Sequence, residues 1–290
     1  PLMDLNVEKE WLLTGLGIPA ASIDSYHFHE IPVAAKGDEL QGMLDGEPTP
    51  RIAASLEALR VVAREPDLIP VGMCIGPFSL MTKLLSDPIS AVFDVADDPG
   101  EEEARNVLAC LETGTRLIER WITLQVEAGA KAVCVCEPAY NIIYLSPNQY
   151  RGQPELLDLL VLQHNRRLKE TLDRLGADLI FHDCGELDGT LVARLNELDP
   201  AILSLGSPCD LPSIARRVSP ATVLFGNLPS KKFYSDDEIT ARQVEEASRA
   251  LIERMKATGH PFILGSECDV LCVKGCEPQI MGKVMAMLDA

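Results

Sequence analysis

The sequence predicts an α/β protein and, within that class, a (β/α)8 barrel of the TIM type. Three observations carry the reading: six short apolar runs, helical periodicities alternating with them, and polar or metal-binding residues directly after the runs. The apolar runs fall at 69–75, 132–136, 178–181, 201–205, 222–225 and 262–264. Short continuous runs of this kind suit strands buried on both faces, as in parallel βαβ units. Helical periodicities occupy 101–128, 155–175, 189–198, 211–218, 236–258 and 278–288. A closed barrel needs eight such units, and six are visible. The other two are expected where the chain is irregular or incomplete, near its amino terminus.

Taken in order, the chain starts at Pro1 without an initiator methionine, and no strand precedes its first helix-like segment. Part of the natural amino terminus is therefore expected to be absent. Up to about residue 46 helical and loop signals mix, including Tyr26-His27-Phe28-His29. An amphipathic stretch at 51–64 then closes at Glu65-Pro66, because proline stops a helix. The six units follow without a low-complexity linker, so residues 1–290 are expected to form a single barrel domain. No Gly-x-Gly-x-x-Gly follows a strand and no Gly-Lys-Ser/Thr loop is present, which argues against dinucleotide and nucleotide binding.

Composition narrows the class further. With 47% hydrophobic residues a chain of this length can bury a sizeable core. A formal charge of −18 with no basic run repels a phosphate backbone, so nucleic acid is not an expected partner. No apolar run approaches the roughly 20 residues of a membrane span, and no signal-peptide pattern opens the chain. The cysteine count, nine, is odd, and Cys74, Cys134 and Cys136 lie inside strand-like runs. Reduced thiols in a cytoplasm fit that pattern better than a disulfide framework.

In a barrel, chemistry collects at the carboxyl ends of the strands. The third run ends in His182-Asp183-Cys184-Gly185, and the last leads into Gly265-Ser266-Glu267-Cys268-Asp269. Strand side chains alternate faces, so His182 and Cys184 emerge together. His182, Cys184 and Cys268 thus form a candidate zinc set: thiolates with imidazole select zinc, and three protein ligands leave a position for water or substrate. The plain alternative for a lone His-x-Cys is a buried histidine beside a small apolar residue. Glu137 or Cys209, each after another run, could close the coordination sphere, although Glu137 also reads as a salt-bridged carboxylate or a substrate contact. Cys272 and Cys276 follow Cys268 at intervals of four and could serve a separate structural zinc. His27 and His29 resemble the first-strand His-x-His of metal-dependent hydrolases, but a loop or surface role suits them better.

These strand ends resemble a known family. His182-Asp183-Cys184-Gly185, Leu224-Phe225-Gly226-Asn227-Leu228 and Gly265-Ser266-Glu267-Cys268-Asp269-Val270 are similar to the second half of the uroporphyrinogen decarboxylase superfamily. The match is to its zinc-containing branch, the corrinoid-dependent methyltransferases that include methylcobamide:coenzyme M methyltransferases. Gly76-Pro77-Phe78-Ser79, Glu137-Pro138 and Leu145-Ser146-Pro147 resemble the family's earlier strand ends. The decarboxylase branch's Arg-Gln-Ala-Gly-Arg motif is absent, and Glu267 stands where the family usually has glycine.

The resemblance implies zinc on His182, Cys184 and Cys268, a thiol activated on that zinc, and methyl transfer to or from a corrinoid brought by a carrier protein. In the other direction the same site would act on a methoxy or methylamine donor. Glu137 would orient substrate or complete the zinc shell, and Asn227 would add a polar contact. The rival expectations are a metal-free porphyrinogen decarboxylase and a non-catalytic zinc- or corrinoid-binding protein.

Overall fold

The computed structural model describes residues 7–27, 42, 44 and 48–290; His29, half of the His-x-His reading, lies outside them. Two compact units are present, Pro1–Ile180 and Phe181–Ala290. Among the described residues there are six strands, each pairing is parallel, and hydrogen-bonded neighbours are consecutive in sequence. With helices between the strands, this is the expected α/β architecture of repeated βα units. No described helix is long and apolar enough to cross a membrane.

The first unit contains α1 (Val7–Gly15), α2 (Pro50–Ala63), β1 (Val71–Ile75), α3 (Pro77–Leu84), α4 (Pro88–Asp97), α5 (Glu102–Glu127), β2 (Ala132–Cys136) and α6 (Pro147–Gly152). A turn at Glu155–Leu157 and a π-helical segment at Asp158–Leu162 then lead into α7 (Gln163–Leu175). Helices α2, α3, α4 and α6 open on proline, whose fixed φ and missing N–H cost nothing at a first helical position. Thr49 caps α2 and Asp87 caps α4 through their side chains. Periodicity had no purchase on α3: Pro77, Phe78, Ser79, Leu80, Met81 and Leu84 are all buried, so its exposed face is too narrow to give a pattern. The 155–175 periodicity spans three helical segments, because the chain widens to a π turn before α7.

β3 (Asp178–Asp183) begins at the end of the first unit and finishes in the second. The second unit continues with α8 (Gly189–Asn196), β4 (Ile202–Leu205), a helical turn at Leu211–Ile214, β5 (Val223–Leu228), α9 (Ala241–Thr258), β6 (Phe262–Ser266) and α10 (Glu277–Leu288). A capping box between Thr240 and Gln243 starts α9, and Gly259 ends it in the left-handed conformation. Leu228, Phe233, Val244, Ile280 and Met287 form a core cluster here. The buried Lys283 ammonium enters that core by donating to the Phe233 carbonyl at 2.9 Å and pairing with Asp236 at 2.9 Å. β5 and β6 run past their apolar cores through Gly226-Asn227-Leu228 and Gly265-Ser266, so the polar strand ends remain in the hydrogen-bonded ladder.

β1 has one strand neighbour among the described residues, β2, with Val71 opposite Ala132 and Ile75 opposite Cys136. Side chains satisfy its outer edge. The Met73 N–H donates to Gln125 Oε1 at 2.7 Å, the Ile75 N–H donates to Glu8 Oε1 at 3.1 Å, and Trp121 Nε1 donates to the Met73 carbonyl at 3.1 Å. Glu8 is 1% exposed, and burial pushes its carboxyl from 4.5 up to about 7, against the lowering effect of its hydrogen bonds and of Lys83.

Because the folded protein holds this proton more tightly than the unfolded chain, Glu8's contribution is complete below pH 4.5 and is lost as pH rises through about 7. The loss is on the order of 3 kcal/mol. Glu8→Gln, which keeps an acceptor for Ile75, is expected to flatten this decline and to exceed the parent in stability above about pH 7. Urea midpoints measured across pH check it; parallel curves for the two proteins would refute it.

Candidate metal centre

In the second unit β3 and β6 bring three soft donors together. His182 is the penultimate residue of β3, Cys184 follows its end, and Cys268 lies just beyond β6. One ligand atom from each lies within 4.8 Å of the other two, a grouping that could hold a metal ion such as zinc. Among the described residues no fourth His, Cys, Asp or Glu joins the group.

The histidine is oriented by its neighbour. His182 is 6% exposed, and its Nδ1 lies 2.9 Å from the hydroxyl of Ser204, on β4. Its Nε2 is buried and has no hydrogen-bond partner. A buried polar nitrogen left without a partner is costly, and a metal bond would satisfy it. An Nδ1–H donated to Ser204 leaves Nε2 with its lone pair free, the tautomer a metal requires.

A hydrogen bond couples the two thiols. A hydrogen bond from Cys184 draws Cys268 down to about 4, while the same interaction, with burial, pushes Cys184 far up. Lys231 stands beside both. Burial would lower its ammonium, but the combined influence of Cys184, Cys268 and Glu267 outweighs this and holds it above the usual lysine range. Asp269 is raised, first by burial and then by the negative charge of Cys268.

Backbone anchors hold the loops that carry these donors. The Gly206 N–H donates to the Asp183 carbonyl at 2.9 Å, and a Cβ at Gly206 would collide with the backbone of Cys184. The Asn227 amide donates to the carbonyls of Gly206 at 2.8 Å and Cys209 at 2.7 Å. Glu267 accepts from the N–H of Ser207 at 3.2 Å and from its hydroxyl at 2.5 Å. The Ser230 hydroxyl is 3.1 Å from the carbonyls of both Cys268 and Asp269.

The other sequence candidates have different surroundings. Glu137, in the first unit, is fully buried at the amino end of α3, where it accepts from the N–H groups of Phe78 at 3.1 Å and Ser79 at 2.8 Å and from Asn165 at 3.0 Å. It is a capping anion for that helix, and a Cβ at Gly76 would overlap its carboxyl. Burial raises the Glu137 carboxyl, opposed by these hydrogen bonds. Cys209 is buried, with its thiol pushed up to about 11 by burial. Cys272 is exposed and Cys276 half-buried at the start of α10, and neither belongs to the cluster, nor does His27. Ser204 and Lys231 were not legible from sequence: one hydroxyl inside an apolar strand and one lysine after Pro229-Ser230 carry no local signal of a shared site.

A family model described as uroporphyrinogen decarboxylase (URO-D) matches residues 8–278. Among solved structures, a methyltransferase from Methanosarcina mazei is similar at 17% identity and a TM-score of 0.64, covering 87% of this chain and 66% of that one. The chain thus spans just under two thirds of that protein. The apo form of the 3-keto-D-glucoside 4-epimerase YcjR from E. coli aligns at 13% identity and a TM-score of 0.46, over 90% of this chain and 95% of its own. No curated protein matches the sequence significantly.

Asn227→Ala would leave two buried carbonyls without their donor beneath the cluster. The expected cost is about 1–3 kcal/mol of unfolding free energy, measured by chemical denaturation. A change below about 0.5 kcal/mol would show that these bonds do not hold the loop.

Proposed function

Since the chain belongs to the uroporphyrinogen decarboxylase family, we propose that it is a zinc enzyme moving a methyl group between a corrinoid and a small thiol. His182, Cys184 and Cys268 are the ligands in this reading. The observation that carries it is the meeting of three soft donors within 4.8 Å around a buried, unpartnered His182 Nε2. A metal-free decarboxylase has no use for such a set.

Zinc held there would lower the pKa of a bound thiol, so that a thiolate is present near neutral pH. The protein's own groups set the conditions. Ser204 orients the ring of His182 and, by accepting from Nδ1–H, would leave Nε2 free for the metal, and the Cys184–Cys268 pair already favours an ionised sulfur. Lys231 offers a positive charge that offsets the two thiolates. Asn227, Glu267 and Ser230 keep the donor loops in place, so that substrate binding needs little reorganisation. Glu137 has its carboxyl engaged at the start of α3 in the first unit. The methyl group would arrive on, or leave with, a corrinoid held by a separate carrier protein, and a methoxy or methylamine donor would serve the opposite direction. All nine cysteines are free, which supports a reducing, cytoplasmic setting.

Protein purified without chelator is expected to contain one zinc per chain, lost in Cys184→Ala and in Cys268→Ala. Ser204→Ala should retain the fold and weaken zinc affinity by about 10–100-fold. Methylcobalamin offered with a panel of thiols should then yield methyl thioether with the parent and none with the cysteine variants. Parent protein that stays zinc-free after reconstitution and decarboxylates a porphyrinogen would replace this proposal with the decarboxylase reading.

A further inference from the structure

A second pair of thiols lies apart from the candidate zinc ligands. Cys134 and Cys136 are i and i+2 on β2, and strand alternation puts both on one face. Their Sγ atoms are 3.8 Å apart. That face is the one turned away from α5: a Cβ at Gly72 would strike Gln125 of α5, and Gly72 is in register with Val133, the residue between. Met73 of β1 is in register with Cys134, so the pleat turns its thioether-bearing side chain to the cysteine face. Cys136 is buried, whereas Cys134 and Met73 are half-buried, so the group is open to solvent on that side.

We propose that Cys134 and Cys136, with Met73 as a third sulfur donor, form a binding site for Cu(I). Two sulfurs bonded at roughly 2.3 Å to one ion lie about 3.8–4.0 Å apart for tetrahedral or trigonal bond angles, so the pair is already spaced for a shared metal. A disulfide fits less well. At about 3.3 Å of rise per residue, i and i+2 Cα atoms stand near 6.6 Å, at the far end of the range a disulfide spans. Zinc is disfavoured because no third His, Cys, Asp or Glu joins the two thiols among the described residues. Thiolates with a thioether are the donors that select Cu(I). Binding replaces the two thiol protons by one cation, which leaves the bound dithiolate with one net negative charge; the metal–sulfur bonds must outweigh the Cys134 contact and the burial that hold the Cys136 thiol protonated.

The test is anaerobic titration of the full chain with Cu(I) in competition with a chromogenic Cu(I) chelator, with released zinc followed in parallel. One Cu(I) per chain is expected, taken up without zinc release. Cys134→Ser and Cys136→Ser should each weaken it at least 100-fold, and Met73→Leu about tenfold. If Cys136→Ser fails to fold, Cys134→Ser, at the half-buried position, and the conservative Met73→Leu decide the outcome. Cu(I) uptake that is absent, that is unchanged in Cys134→Ser, or that proceeds only with loss of zinc would overturn the assignment. So would a parent that loses two hydrogens on mild air oxidation at Cys134 and Cys136 and binds no Cu(I) before or after reduction.

Discussion

An imidazole with one proton has one donor and one acceptor nitrogen, and what holds the first decides where the second is available. Here Ser204 holds His182 Nδ1 at 2.9 Å. The rest of the second unit can be understood as the support of that contact. β3 and β4 each deliver one of the two residues, and Gly206, directly after β4, is small enough for the backbone of Cys184 to lie against it. Cys268 comes to the same place from β6, and Ser230, in the loop after β5, donates to its carbonyl. Four strand ends are needed to settle one nitrogen.

Much of this was written in the sequence, for a physical reason. Strands buried on both faces need unbroken apolar runs, so all six could be located, with errors of a few residues at their ends. The runs start one or two residues ahead of β1, β4 and β5, and at the other end β3, β5 and β6 continue beyond their apolar segments into His182-Asp183, Gly226-Asn227-Leu228 and Gly265-Ser266. At these positions the backbone stays paired while the side chains change from packing to chemistry, and hydrophobicity registers only the change. The three soft donors were legible because cysteine and histidine are rare and their strand ends were predictable.

What was not legible depends on partners distant in sequence. Glu137 followed a strand and therefore read as a site residue. Its carboxylate is taken up by the N–H groups of Phe78 and Ser79 and by Asn165, none of which has a sequence pattern pointing to it. Asn227 likewise read as a polar contact for a ligand, whereas its amide spans two carbonyls of the loop after β4. Both are polar side chains that replace missing backbone partners. Such roles follow from the fold and cannot be seen in local composition.

The outer edge of β1 has a consequence for how the protein behaves in a crowded solution. A strand with unpaired N–H groups is a template on which another polypeptide can add a strand of its own. Here Gln125 and Glu8 occupy the donors of Met73 and Ile75, and the Trp121 indole occupies the Met73 carbonyl, so the template is already filled from within the same chain. Three side chains from two helices thereby give β1 protection against self-association that it would otherwise need from a further strand.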